Sequence, residues 1–172
     1  MIDRRHLLTG SAALIALAMQ TKKGAAQTMT ATMMDKATTD FRALSEDDWK
    51  RRLNEQQFYV LRKHGTERAG TSPLDHEKRK GTFACAGCDL PLFSSDSKFE
   101  SGTGWPSFYQ PLPHAVETKT DRSLFMARTE VHCERCLGHL GHVFEDGPKP
   151  TGLRYCMNGV SLKFEPSAPA AT

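Results

Sequence analysis

Five residues of this 172-residue chain are cysteines, and their spacing divides them into two kinds. Cys85 and Cys88 form one Cys-x-x-Cys pair, and Cys133 and Cys136 form another. A two-residue gap lets a tight turn aim both sulfurs at one ion, and Gly87 gives the first turn the backbone freedom it needs. Two such knuckles complete a tetrahedral zinc site. A four-sulfur site is closed, so it clamps distant segments and leaves no position for substrate. Its binding energy is folding energy, on the order of 10 kcal/mol. The same spacing also suits a pair of disulfides or a thioredoxin-like redox pair.

Cys156 is the thiol left over, in the run Leu153-Arg154-Tyr155-Cys156-Met157-Asn158. In an extended strand Arg154, Cys156 and Asn158 share a face. A cysteine is a weak nucleophile at neutral pH because its pKa is about 8.5, and a neighbouring cation such as Arg154 lowers it. Upstream, His139 and His142 stand three apart, followed by Asp146. Imidazoles carry protons near neutral pH and can donate one to a reacting oxygen. Each residue also has a bland reading. A buried cysteine is commonly an inert small hydrophobe, the histidines suit a core or a metal's neighbourhood, and Trp105 suits a core.

The elements that must position these residues read as a mainly β domain. Ser45 caps a helix that opens on Glu46, Asp47 and Asp48, with Leu44, Trp49 and Leu53 as its buried stripe. A second helical stretch is predicted over 56–63. From Gly81 onward short strands alternate with Gly- and Pro-rich turns: 83–85, 90–93, 116–119, 124–131 with a turn at 120–123, and 155–164. The pattern places a linker over 27–42, one domain over 43–166 and a frayed tail over 167–172.

The N-terminus reads as an address. Arg4-Arg5-His6-Leu7-Leu8 precedes a short apolar run from Ser11 to Met19, too short for a stable membrane span. This resembles a twin-arginine export signal, and residues 1–26 are its predicted extent. The net charge of +3 is accounted for there, by Arg4, Arg5, Lys22 and Lys23 against Asp3. The remainder is near neutral, so nucleic acid is a poor candidate partner. Hydrophobic content of 38% and charged content of 25% are those of an ordinary soluble domain. Export places the mature chain in an oxidising periplasm, with a membrane encountered only in transit.

Three ordered motifs carry a family resemblance: Gly102-Thr103-Gly104-Trp105-Pro106-Ser107-Phe108, His139-Leu140-Gly141-His142-Val143-Phe144, and Gly152 through Gly159. With the two cysteine pairs they resemble the B-type methionine sulfoxide reductases over about residues 43–166. The resemblance implies a monomeric small barrel of antiparallel sheets with N-terminal helices and a structural zinc remote from the chemistry. It implies that Cys156 attacks the sulfur of methionine-R-sulfoxide in oxidised proteins and becomes a sulfenic acid. His139 and His142 would line the site, protonate the oxygen and hold a water. Asp146, Arg154 and Asn158 would form the polar network, and Trp105 and Phe108 the apolar wall. Many members carry a resolving cysteine where this chain has Thr103, so a thioredoxin-like protein or a small thiol would recycle Cys156. A fold-level alternative is a zinc-ribbon interaction module in which Cys156 is merely core.

Overall fold

The computed structural model describes residues 39–122 and 127–168. The export signal, most of the linker and residues 169–172 lie outside them. Helix α1 spans Glu46–Arg52 and α2 spans Glu55–Lys63. Both begin in capping boxes, Ser45 with Asp48 and Asn54 with Gln57, so the first backbone N–H groups of each helix find side-chain acceptors. Strands follow as β1 Gly81–Cys85, β2 Pro91–Ser94, β3 Lys98–Phe99, β4 Ser107–Phe108, β5 Val116–Asp121, β6 Arg128–Cys133, β7 His139–Phe144, β8 Arg154–Met157 and β9 Leu162–Pro166.

These strands form two antiparallel sheets, β2-β1-β9 and β3-β4-β8-β7-β6-β5. The mainly β expectation holds, but the sheets do not close into a barrel: among the described residues each has two free edges. The run predicted over 155–164 is two strands, because Asn158 turns the chain into a short 3-10 helix at Gly159–Ser161 before β9 joins the other sheet. The turn expected at 120–123 is displaced, since Thr120 and Asp121 still pair with Thr129 and Arg128. Phe41, assigned to the linker, is 3% exposed and packs on Trp49 at 6.2 Å, so the packed region starts before residue 43.

The core lies between the sheets and under α1. Phe93 stacks on Phe108 at 4.3 Å, and Phe83 meets Phe108 edge-on at 4.9 Å. Offset and edge-to-face ring pairs of this kind add about 0.5–1.5 kcal/mol each beyond their buried area.

Register decides which side chains face the other way. In an antiparallel sheet directly opposed residues share a face. Lys119 opposes Glu130, Glu130 opposes His142, His142 opposes Cys156, and Cys156 opposes Ser107. One row of side chains therefore crosses β5, β6, β7, β8 and β4 on the face away from the core. Residues three apart in a regular strand point to opposite faces. His139 joins this row only because the register shifts between Val131 and His132: Val131 opposes Gly141 while His132 opposes His139, leaving Leu140 as the extra residue. This β-bulge re-aims His139, and it sends Leu140 into the core.

Gly141 sets how closely β7 approaches β8. A Cβ there would lie 2.1 Å from the Cys156 carbonyl oxygen and 3.0 Å from Met157 Cα, both backbone. Gly141→Ala is expected to cost about 1–3 kcal/mol by overpacking, read as a lowered denaturation midpoint at constant slope. A midpoint equal to that of the parent chain would show that the strands have room to part.

Candidate active site

Cys156 lies at the bottom of a pocket of about 150 Å³ lined by Thr66, Trp105, Arg128, Gly141, His142, Phe144, Cys156 and Asn158. A larger groove of about 820 Å³ between α2, the loop after it and β9 holds neither cysteine nor histidine, so size does not mark the reactive site. The β8 strand places Arg154 and Cys156 on one face, as alternation requires. Burial pushes the Cys156 thiol up, while the Thr103 hydroxyl, 3.9 Å from the sulfur, and the Arg154 guanidinium pull it down. Burial prevails and the thiol stands above its ordinary value; Arg154 and Thr103 are the groups beside the sulfur that favour its thiolate.

Arg154 is itself fixed. Its Nε and Nη2 donate to the two carboxylate oxygens of Asp146 at 2.9 and 2.8 Å, and the guanidinium lies over the Phe144 ring at 4.5 Å. A bidentate pair and a ring hold this side chain in one orientation. Asp146 itself is exposed; it holds Arg154, and its own charge favours the protonated Cys156 thiol.

The two histidines differ. His142 lines the pocket and donates Nε2–H to Asp121 at 3.0 Å, which leaves Nδ1 as the acceptor in its neutral form. Asp121 also takes Arg128 Nη2 at 2.7 Å. His139 is buried behind His142, with ring centroids 5.5 Å apart, and is not among the residues lining the pocket. Its Nδ1–H donates to Glu130 at 2.6 Å, and burial pulls its pKa down to about 4, so the ring is neutral at pH 7. Burial would raise the Glu130 carboxyl, but hydrogen bonds from His64 and His139 outweigh it and hold the group down at about 2.

Asn158 is pinned rather than merely aligned. It lies beyond the end of β8; its backbone N–H and Nδ2 both donate to Leu140 O, at 2.8 and 3.0 Å, and its Oδ1 accepts from Glu67 N at 2.9 Å. Trp105 Nε1 donates to Glu67 O at 3.2 Å. The Glu67 carboxylate in turn accepts from the N–H groups of Gly159 and Val160. The loop after α2 is thereby stapled to the wall of the pocket.

The other four cysteines meet at a distance from this pocket. Cys85 and Cys136 sulfurs are 3.7 Å apart and Cys88 and Cys133 sulfurs 3.4 Å apart, with all four sulfurs within 4.8 Å of one another. None is disulfide-bonded. Tetrahedral coordination with metal–sulfur bonds of about 2.3 Å requires sulfurs about 3.8 Å apart, so the set fits an ion of the zinc class. Each knuckle closes through a left-handed residue four positions after its first cysteine, Asp89 and Leu137. Without a cation, neighbouring sulfurs and burial push the Cys85 and Cys88 thiols up, a cost that a bound ion would remove.

Comparison with known proteins agrees with this arrangement. A family model described as the SelR domain matches residues 53–166. The chain is 57% identical over 122 residues to a peptide methionine sulfoxide reductase MsrB of Leptospira interrogans, covering 70% of this chain and 93% of that protein. It is 54% identical over 123 residues to the MsrB of Agrobacterium fabrum, covering 71% and 91%. A chloroplastic peptide methionine sulfoxide reductase B1 of Arabidopsis thaliana is 54% identical over 126 residues, 73% of this chain and 62% of that longer protein. The chain belongs to the MsrB family.

Within this MsrB chain the structure brings Cys156, His142, Asn158 and Trp105 into one pocket, with Arg154 beside the sulfur and Asp146 behind Arg154. Phe108 is not part of it. Phe108 opposes Tyr155 rather than Cys156, so its ring points into the core, and Phe144 supplies the second aromatic wall. Asp121, Arg128 and Thr66 were missed. Arg128 stands two residues before Glu130 on the same face of β6, a signal that needed the correct register. Thr66 lies in a loop whose position no local pattern gives.

Arg154→Gln should remove the cation beside the sulfur and leave, at fixed pH below the transition, on the order of tenfold less Cys156 thiolate. Alkylation of the Cys156 peptide, followed by mass spectrometry across pH, reads this as a profile displaced to higher pH. A profile that stays in place would show that Arg154 does not stabilise the thiolate.

Proposed function

We propose that this chain is a peptide-methionine (R)-S-oxide reductase that acts on oxidised proteins and is recycled by an external thiol. What supports this reading is the cross-strand pairing of Cys156 with His142 in a pocket walled by Trp105 and Phe144. The Cys156 thiolate attacks the sulfoxide sulfur as the oxygen takes one proton; the hydroxyl then passes to the Cys156 sulfur while the transient S–S bond and the substrate S–O bond break, so thiolate, sulfoxide and one proton give methionine and a Cys156 sulfenic acid. His142, its Nε2–H held by Asp121, lines the pocket and gives the proton from Nδ1 in its imidazolium form; His139 backs its ring. Trp105 and Phe144 receive the methyl group, while His142, Arg128 and Asn158 line the polar side. A substrate sulfur with a methyl group on one side and an oxygen on the other fits such a pocket in one handedness.

Thr103 stands 3.9 Å from the Cys156 sulfur, where a second thiol would serve for resolution. The remaining cysteines are buried in their own cluster. A thiol from outside, thioredoxin-like or small, therefore displaces the hydroxyl as water and forms a mixed disulfide, which a second thiol reduces.

Turnover of the R epimer with dithiothreitol is expected, and Cys156→Ser should abolish it. After one equivalent of substrate without reductant, mass spectrometry should find sulfenic acid at Cys156. Activity retained by Cys156→Ser overturns the catalytic assignment, and a disulfide from Cys156 to another cysteine of the chain overturns the recycling route.

The four-cysteine site takes zinc in this reading, which supplies no chemistry to the reaction and fixes the two knuckles. The chain is exported through its Arg4-Arg5 signal and works in the periplasm as a monomer. One preparation tests metal and location together: protein recovered from the periplasmic fraction should begin near Gln27 and carry zinc by elemental analysis. A chain found only in the cytoplasm at full length, or one purified with another metal, overturns the corresponding part.

A further inference from the structure

Behind the active site lies a second cluster of metal-ligating groups, of which the reaction uses none as a proton donor and only His139, as the backing of His142. Three imidazole nitrogens converge on one carboxylate oxygen, Glu130 Oε1: His64 Nδ1 at 2.7 Å, His132 Nε2 at 2.8 Å and His139 Nδ1 at 2.6 Å. One carboxylate oxygen has two lone pairs and cannot accept three well-aligned donors. The excess is visible in His132. Its Nε2 is close to Oε1 but misaligned, a buried nitrogen without a hydrogen-bond partner among the described residues. An unsatisfied buried ring nitrogen costs about 1–3 kcal/mol, and a cation among the four groups would use its lone pair.

We propose that His64, Glu130, His132 and His139 form a second metal site, for a divalent ion of the zinc class. The four donor atoms lie within 4.8 Å of one another. With bonds of about 2.0–2.1 Å a tetrahedral ion holds its ligands about 3.3 Å apart, so the rings need only splay slightly away from Oε1. Three imidazoles and one carboxylate suit zinc, copper or nickel and disfavour magnesium and calcium, which take oxygen ligands.

The fold supplies an entrance. His64 is the left-handed C-cap of α2 with its side chain 52% exposed, whereas the other three ligands are buried. An ion arriving from solvent meets His64 first. Lys119 Nζ, 3.4 Å from Glu130 Oε2, is exposed and flexible enough to withdraw as positive charge arrives. The site is separate from the cysteine cluster although His132 precedes Cys133, because adjacent strand residues point to opposite faces. It touches the active site through His139, which packs on His142, and through Glu130, which opposes His142 across the strands.

The test uses the Cys156→Ser chain with its cysteine site filled with zinc, so that neither the nucleophile nor the knuckles compete. Zn²⁺ is titrated by calorimetry, and Co²⁺ is added as an optical probe to a separate sample in which only the cysteine site holds zinc. A further ion should bind, with weak d–d bands and no sulfur charge-transfer band, and His64→Ala should weaken it by at least about 10-fold. His64 is exposed, so this variant tests the ligand without opening the core. No uptake beyond the cysteine site overturns the proposal. So does uptake that His64→Ala leaves unchanged, or uptake with a sulfur charge-transfer band.

Discussion

Four sulfurs gathered within 4.8 Å of one another, a set that could hold one metal ion, are the constraint on which this fold rests. Cys85 and Cys88 belong to the turn between β1 and β2 of the small sheet; Cys133 and Cys136 belong to the turn between β6 and β7 of the large one. Bringing them within 4.8 Å fixes the two sheets against each other at one end. The helices then dock on the knuckles. Leu61 and Trp49 pack where Gly87 and Gly138 leave room, and Arg62 donates to the Cys136 carbonyl at 3.0 Å while lying over the Trp49 ring. A Cβ at Gly138 would press on Leu61 at 2.9 Å, and one at Gly87 on the Trp49 ring at 3.3 Å. A chain of this size buries enough surface to fold, but the relative placement of its sheets depends on the sulfur cluster.

From that anchored turn the β7 strand runs toward the chemistry, and two local irregularities deliver it. The bulge at Leu140 turns His139 onto the reactive face, and the missing side chain at Gly141 lets β8 come close enough for His142 to lie beside Cys156. Neither residue does chemistry. Their effect is to make a flat lattice of alternating side chains present two histidines three positions apart on the same side.

How much of this could be read from the residues alone follows from the range of each signal. The cysteine spacing, the capped helix after Ser45 and the alternation of Arg154 with Cys156 are short-range patterns, and each is found where it was expected. Phe108 is placed in the apolar wall by the family resemblance, but the face of the strand it occupies depends on its pairing with Tyr155, which turns its ring into the core. Asp121 was placed in a turn, since Thr-Asp-Arg-Ser is turn-like; pairing with β6 overrode that preference and brought its carboxylate to His142. The small barrel of antiparallel sheets implied by the resemblance is present as two antiparallel sheets that stay open, because closure depends on strand partners far apart in the chain, which periodicity does not encode.

Glu67 gives this architecture a property of its own. Through its backbone and carboxylate it joins Asn158, Trp105 and the short 3-10 helix after β8, so one loop residue ties three separated parts of the chain around the pocket. The sulfur cluster makes no use of that loop. The frame and the cavity are therefore held by chemically independent groups: the four sulfurs gather where the sheets meet, and Glu67 closes the loop against the pocket. A chain with the first in place and not the second would be compact and, with an ion bound at the sulfurs, metal-loaded, yet unable to recognise a sulfoxide. Metal content in such a protein reports assembly of its frame and says nothing about the fraction of molecules competent to repair.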